Sequence, residues 1–166
     1  AVTEAEARAA LDHFLQHRLP DFGRYEDAMM AGDTWMAHSL LSVPLNLGLL
    51  DPLDVVQRAA RAEAPLAARE GFVRQILGWR DYIWHLYWYL GAEYRAHNAL
   101  DARAAPPEWF EALDTSGTAA ACLSDALGKV HDYGWAHHIE RLMVLGSWAL
   151  QRGYDPAALS DWFRDA

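Results

Sequence analysis

The chain has 166 residues and a mass of 18.7 kDa, a size that fits a single folded domain. Eight Trp, seven Tyr and five Phe, in a chain that is 52% hydrophobic, exclude an intrinsically disordered protein. The net charge of −9 argues against nucleic acid as a partner of the whole surface, and the single Cys122 excludes a disulfide framework or a cysteine-built metal site completed within this chain.

The first predicted element is a helix. Thr3 and Glu6 form a capping-box pattern, which predicts a helix over residues 4–18. The apolar stripe of this helix consists of Leu11, Phe14, Leu15 and Leu19. We expect Pro20 and Gly23 to end it, because both residue types interrupt helices.

A turn and an apolar run separate this helix from the next. Residues 24–30 are predicted to form the turn, and residues 38–50 are mostly apolar. Asp51 at the N-cap, followed by a proline at the first helical position, predicts a helix that runs to about residue 63.

The second half of the chain also has a helical period. Residues 65–95 predict one long helix, and its apolar and aromatic middle, residues 76–90, should be central in the fold. A surface connection with one short helix is expected at 98–117, followed by helices at 118–132 and 135–152. Gly153 is the expected C′ residue, and Asp155 and Pro156 should begin a last helix. These patterns predict an all-α fold of seven or eight helices around one core.

Two groups of residues within the predicted helices are candidates for ligand binding or catalysis. Arg80 lies in an apolar helix, where a guanidinium requires an anion or a carboxylate, so an ordinary salt bridge is the alternative to a ligand site. His138 and Arg141 lie three residues apart on one helix face, with His137 turned away by about 100°. Adjacent histidines are a poor metal pair on a helix, so a zinc site is not expected, and a hydrogen-bonded core histidine is the alternative.

A third group lies at residues 38–42. Its hydroxyls and backbone amides, at the start of a helix, are suited to an anionic group such as a phosphate. The alternative is that the serines are plain helix caps.

These groups occur in the order and spacing of a known family. The matching segments are residues 19–30, 38–50, 72–82 and 134–146. They resemble the C-terminal flavin-binding domain of the photolyase–cryptochrome superfamily, and more narrowly its bacterial iron–sulfur branch, which includes (6-4) photolyases.

The resemblance implies a multi-helical domain that holds FAD in a folded form. Tyr25 and the 38–42 segment would contact its diphosphate and ribityl part, and Trp79 and Arg80 would line the flavin cavity, with Asp81 where the family usually has Glu. The implied FAD-binding residues are Tyr25, His38, Ser39, Leu41, Ser42, Gln75, Trp79, Arg80, His138 and Arg141.

The resemblance also implies roles in catalysis and electron transfer. His138 is the implied catalytic residue, a proton donor to a (6-4) lesion, and histidine titrates near the working pH. Trp162 matches an electron-relay tryptophan, and Cys122 matches the first of four ligands to a [4Fe–4S] cluster.

Residues 1–166 would then be one part of the FAD-binding domain. The resemblance implies an N-terminal antenna domain with its pigment, and a C-terminal part with the other three cluster ligands, both outside this chain. We expect the isolated chain to lack the cluster and to be inactive.

The leading hypothesis is a light-dependent DNA repair enzyme that uses reduced FAD to reverse pyrimidine dimers, with damaged DNA as its partner. Arg18, Arg24 and Arg74 are candidates for a basic groove. The alternatives are a non-catalytic blue-light photoreceptor of the cryptochrome type, and a helical interaction module without a cofactor. No segment is apolar enough for a membrane span and the N-terminus is no signal peptide, so we expect a cytoplasmic protein without a membrane partner.

Overall fold

The computed structural model describes residues 3–166, and its regular structure confirms the predicted all-α class. Among these residues there are two isolated β-bridges and no strand. The α-helices are α1 (Glu4–His17), α2 (Leu19–Tyr25), α3 (Ser42–Asn46), α4 (Pro52–Arg61), α5 (Leu66–Val73), α6 (Trp79–Leu90), α7 (Glu108–Glu111), α8 (Ala121–Tyr133), α9 (Ser147–Gln151) and α10 (Pro156–Asp165).

The helix starts agree with the capping residues in the sequence. Thr3 and Glu6 form the capping box at the start of α1, each side chain bonding the backbone N–H of the other. The Asp51 carboxylate accepts the N–H of Leu53 at the start of α4. Asp155 caps α10 in the same way. These three predictions are confirmed.

The prediction that Pro20 and Gly23 act as helix terminators is wrong. The first helix ends at His17, and α2 begins at Leu19, with Pro20 in its first turn, where the missing N–H has no helical acceptor to bond. Gly23 lies within α2 against α5: a Cβ at this position would be 2.7 Å from the Cα of Ala68. Glycine is required here for close helix packing.

The long helix predicted from residue 65 is continuous to Leu90 but changes its winding on the way. Between α5 and α6 the residues Arg74–Gly78 form one turn of π-helix, which the sequence pattern did not predict. The helix ends at Gly91, whose φ of 74° favours glycine, and a 3₁₀ turn over Ala92–Ala96 replaces the predicted continuation.

The prediction that residues 76–90 are central is also wrong. Ile76 is buried, but α6 has no buried residue, and its aromatic side chains are 52–86% exposed. The amphipathic signal of a helix shows which residues are apolar, whereas their burial depends on which other segments pack against them.

The chain forms two compact units instead of the predicted single core. The first consists of the residues up to Ala28 and Trp35–Gly91, and the second of Met29–Thr34 and Ala92–Ala166. In the first unit the rings of Phe14, Phe22 and Phe72 pack together, with centroids 4.6–6.0 Å apart. In the second, the buried apolar residues are Phe110, Leu123, Ala126, Leu127, Val130, Ala136, Leu145 and Trp162.

Two helices of the second unit begin later than predicted. The first, α8, begins at Ala121 instead of residue 118. Gly134, with φ of 59°, ends α8, and the next helical stretch begins at His138 instead of residue 135. This stretch is π-helical over Glu140–Gly146 and continues into α9. Gly153, with φ of 69°, comes after α9 as predicted.

The close packing of α2 on α5 leads to a stability prediction. Gly23→Ala should lower the free energy of unfolding by about 1–3 kcal/mol, because the backbone of Ala68 would have to move. Gly78→Ala is the matched control: its Cβ would meet only the Arg74 side chain, at 3.6 Å, and it should be stabilising by about 0.5–1 kcal/mol. Urea unfolding of both variants measures the difference, and equal effects would contradict the close-packing argument.

Candidate functional site

The segment of residues 38–42 has an unusual backbone. Leu40, with φ of 57°, lies in the left-handed region that non-glycine residues rarely adopt. The guanidinium of Arg18 donates to the carbonyl of His38 at 3.0 Å, and Leu41 is fully buried in the first core. Ser42 is the first residue of α3 and is exposed, and the N-cap position before it is occupied by Leu41, which has no capping group. The hydrogen bond from Arg18 and the buried side chain of Leu41 therefore fix this segment, while the hydroxyl of Ser42 remains accessible.

Tyr25 and Gln75 lie on elements that pack on the same core as this segment. Tyr25 is the last residue of α2, and Gln75 lies in the π-helical turn after α5. Both are half-buried. Their helices bury Phe22, Phe72 and Ile76 in the cluster that contains Leu41. The elements that carry these predicted residues therefore share one apolar core.

Trp79 and Arg80 open α6 directly after the π-helical turn. Trp79 is 52% exposed, and its ring packs edge-on against Tyr82 with centroids 5.7 Å apart. Arg80 was expected to be buried against an anion or a carboxylate, but it is exposed. Its guanidinium donates to the carbonyl of Ile76 at 3.1 Å and makes no ion pair with the described residues. The charge of Arg80 is therefore available to a ligand.

In the second unit the two adjacent histidines have different environments, although His137 precedes the helix in which both were predicted to lie. His137 is 4% exposed and hydrogen-bonds the backbone, whereas His138 is exposed. Their rings pack with centroids 4.5 Å apart. Arg141 is exposed; its guanidinium donates to the carbonyl of Phe163 at 3.1 Å and stacks over the ring of that residue.

Trp162 and Cys122 complete the predicted residues of this unit. Trp162 is 9% exposed, packs 4.7 Å from the ring of Phe110, and has an indole N–H without an acceptor among the described residues. The hydrogen bond from Arg141 to the carbonyl of Phe163 links the π-helical segment Glu140–Gly146 to α10. Phe163 is the residue that follows Trp162 on α10. Cys122 is a free, exposed thiol in the first turn of α8.

The second unit contains a buried ion pair that the sequence pattern did not predict. The Lys129 ammonium lies 2.5 Å from Glu140 and 2.9 Å from Asp125, and the side chains of Lys129 and Glu140 are only 8% and 5% exposed. Burial lowers the pKa of Lys129, but hydrogen bonds to Glu140 and Asp125 outweigh this effect, so the pKa is raised above its ordinary value. The only local signal was the lysine within an otherwise apolar helix stripe.

The predicted basic groove of Arg18, Arg24 and Arg74 is not supported by their contacts. Arg18 binds the His38 carbonyl, Arg74 pairs with Glu70, and Arg24 stacks over Tyr25 at 5.3 Å. Two of the three guanidinium groups are thus engaged within the protein, because each has a carbonyl or carboxylate acceptor close by.

The chemistry of the first unit fits FAD. An accessible hydroxyl at Ser42 suits the anionic diphosphate of the cofactor. The exposed Trp79 and the guanidinium of Arg80 suit the planar, polar flavin ring. A [4Fe–4S] cluster needs four thiolates, of which this chain supplies only Cys122. Within residues 3–166 no group of three or more potential metal ligands is found.

No helix in the described part of the chain is long and apolar enough to cross a bilayer. No family model matches the chain. It is 41% identical to a (6-4) photolyase of Agrobacterium fabrum, over 98% of this chain and 32% of that protein. It is 29% identical to an uncharacterized protein of Acanthamoeba polyphaga mimivirus, over 66% of this chain and 85% of that protein.

The fold resembles the crystal structure of a bacterial class III photolyase from Agrobacterium tumefaciens, with a TM-score of 0.78 and 23% identity over 98% of this chain. The fold is therefore that of a helical portion of a photolyase. The chain belongs to the photolyase/cryptochrome superfamily, and it spans about a third of the length of the photolyases it matches, 32% and 34% respectively.

The buried ion pair leads to a second prediction. Lys129→Met should lower the free energy of unfolding by about 3–5 kcal/mol, because the Glu140 carboxylate would stay buried without its cation. Arg74→Met, which breaks the exposed pair with Glu70, should cost at most about 1 kcal/mol.

The pH dependence of stability depends on the raised pKa of Lys129. The folded state favours the charged ammonium, so the stabilisation should be complete below the ordinary lysine pKa of about 10.4 and decline as the pH rises above it. Denaturant unfolding of wild type and Lys129→Met between pH 7 and pH 11 measures this difference. If the two proteins already have the same free energy of unfolding at pH 8, the raised pKa of Lys129 is wrong.

Proposed function

We propose that this chain is part of the FAD-binding helical domain of a longer, light-dependent DNA repair enzyme that reverses pyrimidine dimers, specifically (6-4) photoproducts. The observation that carries the proposal is the 41% identity to a (6-4) photolyase along 98% of the chain. In the proposed full-length polypeptide, the antenna domain and the C-terminal cluster-binding part lie outside residues 1–166.

FAD would be held by the residues that match the family's motifs. Tyr25, His38, Ser39, Leu41 and Ser42 are assigned to its diphosphate and ribityl part, and Trp79 and Arg80 to the flavin cavity. Gln75, His138 and Arg141 are also assigned to FAD binding. When bound and reduced, FAD would supply under blue light the electron needed for dimer cleavage. Cys122 would provide one of four thiolates to a [4Fe–4S] cluster, and Trp162 would take part in reducing the flavin.

Within the chain's own residues, the chemistry rests on His138. Its ring is exposed beside the buried His137, so it is accessible to a base flipped out of the duplex. An imidazolium N–H at this position would donate a proton to the lesion, and the neutral ring would recover a proton when the bases are restored. Arg141, anchored on the carbonyl of Phe163, would hold negative charge near the same place.

The test uses the full-length polypeptide that contains this chain. The purified protein should show the absorption of bound FAD and, after photoreduction, should repair a defined (6-4) lesion under blue light. His138→Ala should lower the repair rate by about 100-fold or more, a typical contribution of general acid catalysis, and should leave FAD binding and photoreduction unchanged. His131→Ala, an exposed histidine of α8, is the matched control and should repair at the wild-type rate.

Three results would contradict the proposal in different ways. A His138→Ala protein with full repair refutes the catalytic role of this residue. Bound, photoreducible FAD without repair of any lesion favours the cryptochrome-type photoreceptor. A full-length protein without FAD favours the interaction module.

A further inference from the structure

The helical stretch that carries His138 and Arg141 begins with an unusual cap. The carbonyl of His137 accepts the first helical hydrogen bond, from the N–H of Arg141 at 2.9 Å, which makes His137 the N-cap residue. The Nδ1 atom of its own ring accepts the N–H of Ile139 at 3.2 Å. An imidazole thus replaces the usual hydroxyl or carboxylate of a capping residue.

Glu140 completes this cap from the other side. Its Oε2 atom accepts the N–H of His137 at 3.1 Å, the reciprocal bond of a capping box. Its Oε1 atom lies 2.5 Å from the ammonium of Lys129, which arrives from α8. Both oxygens of a nearly buried carboxylate are therefore bound, one to the backbone of the cap and one to a cation on another helix.

We infer that Lys129 and Glu140 act as positioning residues for His138, an inference that rests on the function proposed above. They fix the backbone N–H of His137, whose carbonyl and ring are fixed by the helix that it caps. The ring of His138 packs on the ring of His137, so the direction of the reactive imidazole depends on this cap. Both positioning residues are themselves buried.

The cap also determines the charge of His137. A backbone N–H is only a donor, so Nδ1 must accept and His137 is neutral with its proton on Nε2. A neutral His137 places no like charge beside the ring of His138, 4.5 Å away, which is the ring that has to carry a proton. Lys129, Asp125 and Glu140, which lie beside this cap, have charges that are paired with one another.

The positioning is tested first on this chain by NMR. In wild type, the imidazole ¹⁵N shifts of His137 should report the Nε2–H tautomer, the amide of Ile139 should be protected from hydrogen exchange, and the His138 side chain should occupy one χ1 rotamer. Glu140→Ala and Lys129→Met should each lose the tautomer signature and average the rotamer. Asp125→Asn, at the more exposed partner of Lys129, should leave all three signals unchanged.

A paired variant keeps the test decisive if the single variants unfold. Lys129→Met combined with Glu140→Gln removes both charges, but Gln retains a carbonyl oxygen that accepts the His137 N–H. This double variant should recover the tautomer, the amide protection and the single rotamer. Unchanged signals in Glu140→Ala, or a double variant that folds without recovering them, would overturn the inference.

The repair assay on the full-length polypeptide gives the second readout. Glu140→Ala should lower the single-turnover repair rate by at least tenfold with lesion affinity within about twofold of wild type, and the double variant should restore the rate. Wild-type repair in Glu140→Ala would overturn the positioning role. If the wild-type protein shows no repair, only the proposed function is contradicted. The NMR measurements would still test whether Lys129 and Glu140 position His138.

Discussion

Packing of aromatic rings around a close helix contact holds the first unit together. Phe14, Phe22 and Phe72 come from three helices and meet with centroids within 6.0 Å, in an arrangement that requires α2 to lie against α5. Gly23 allows this approach because any side chain would meet the backbone of Ala68. The ends of these helices carry Tyr25 and the π-helical turn before Trp79, so the position of the candidate cofactor residues depends on this contact.

The second unit combines an apolar cluster with one buried polar group. Taking Lys129 and Glu140 out of water is costly, and the cost is offset only because each is paired and hydrogen-bonded. The same carboxylate binds the N–H of His137, which an apolar residue in its place would not do. Apolar residues of similar volume often stabilise a protein at least as well as a buried ion pair. Here the pair also supplies the acceptor for the N–H of His137 at the helix start beside it.

Two features mark the candidate site as different from ordinary helical structure. Both π-helical segments lie at the motifs that resemble the photolyase family: Arg74–Gly78 precedes Trp79, and Glu140–Gly146 contains Arg141. Such turns are rare and occur frequently at functional sites, where they reorient side chains. The second feature is exposure: most of the charged and aromatic residues assigned to ligand binding are exposed in this chain. The matched photolyases are about three times as long as this chain.

The helical class, the caps at Thr3, Asp51 and Asp155, and the family could all be predicted from the sequence, because these signals depend on residues close together in the chain. The different environments of His137 and His138 do not follow from helix periodicity, because His137 precedes the helix that begins at His138. Three features could be seen only in the folded chain: the two cores, the exposure of α6, and the bond of Glu140 to a lysine eleven residues earlier. Burial and ion pairing depend on which segments meet in space, and a local pattern of apolar and charged residues does not specify the partner.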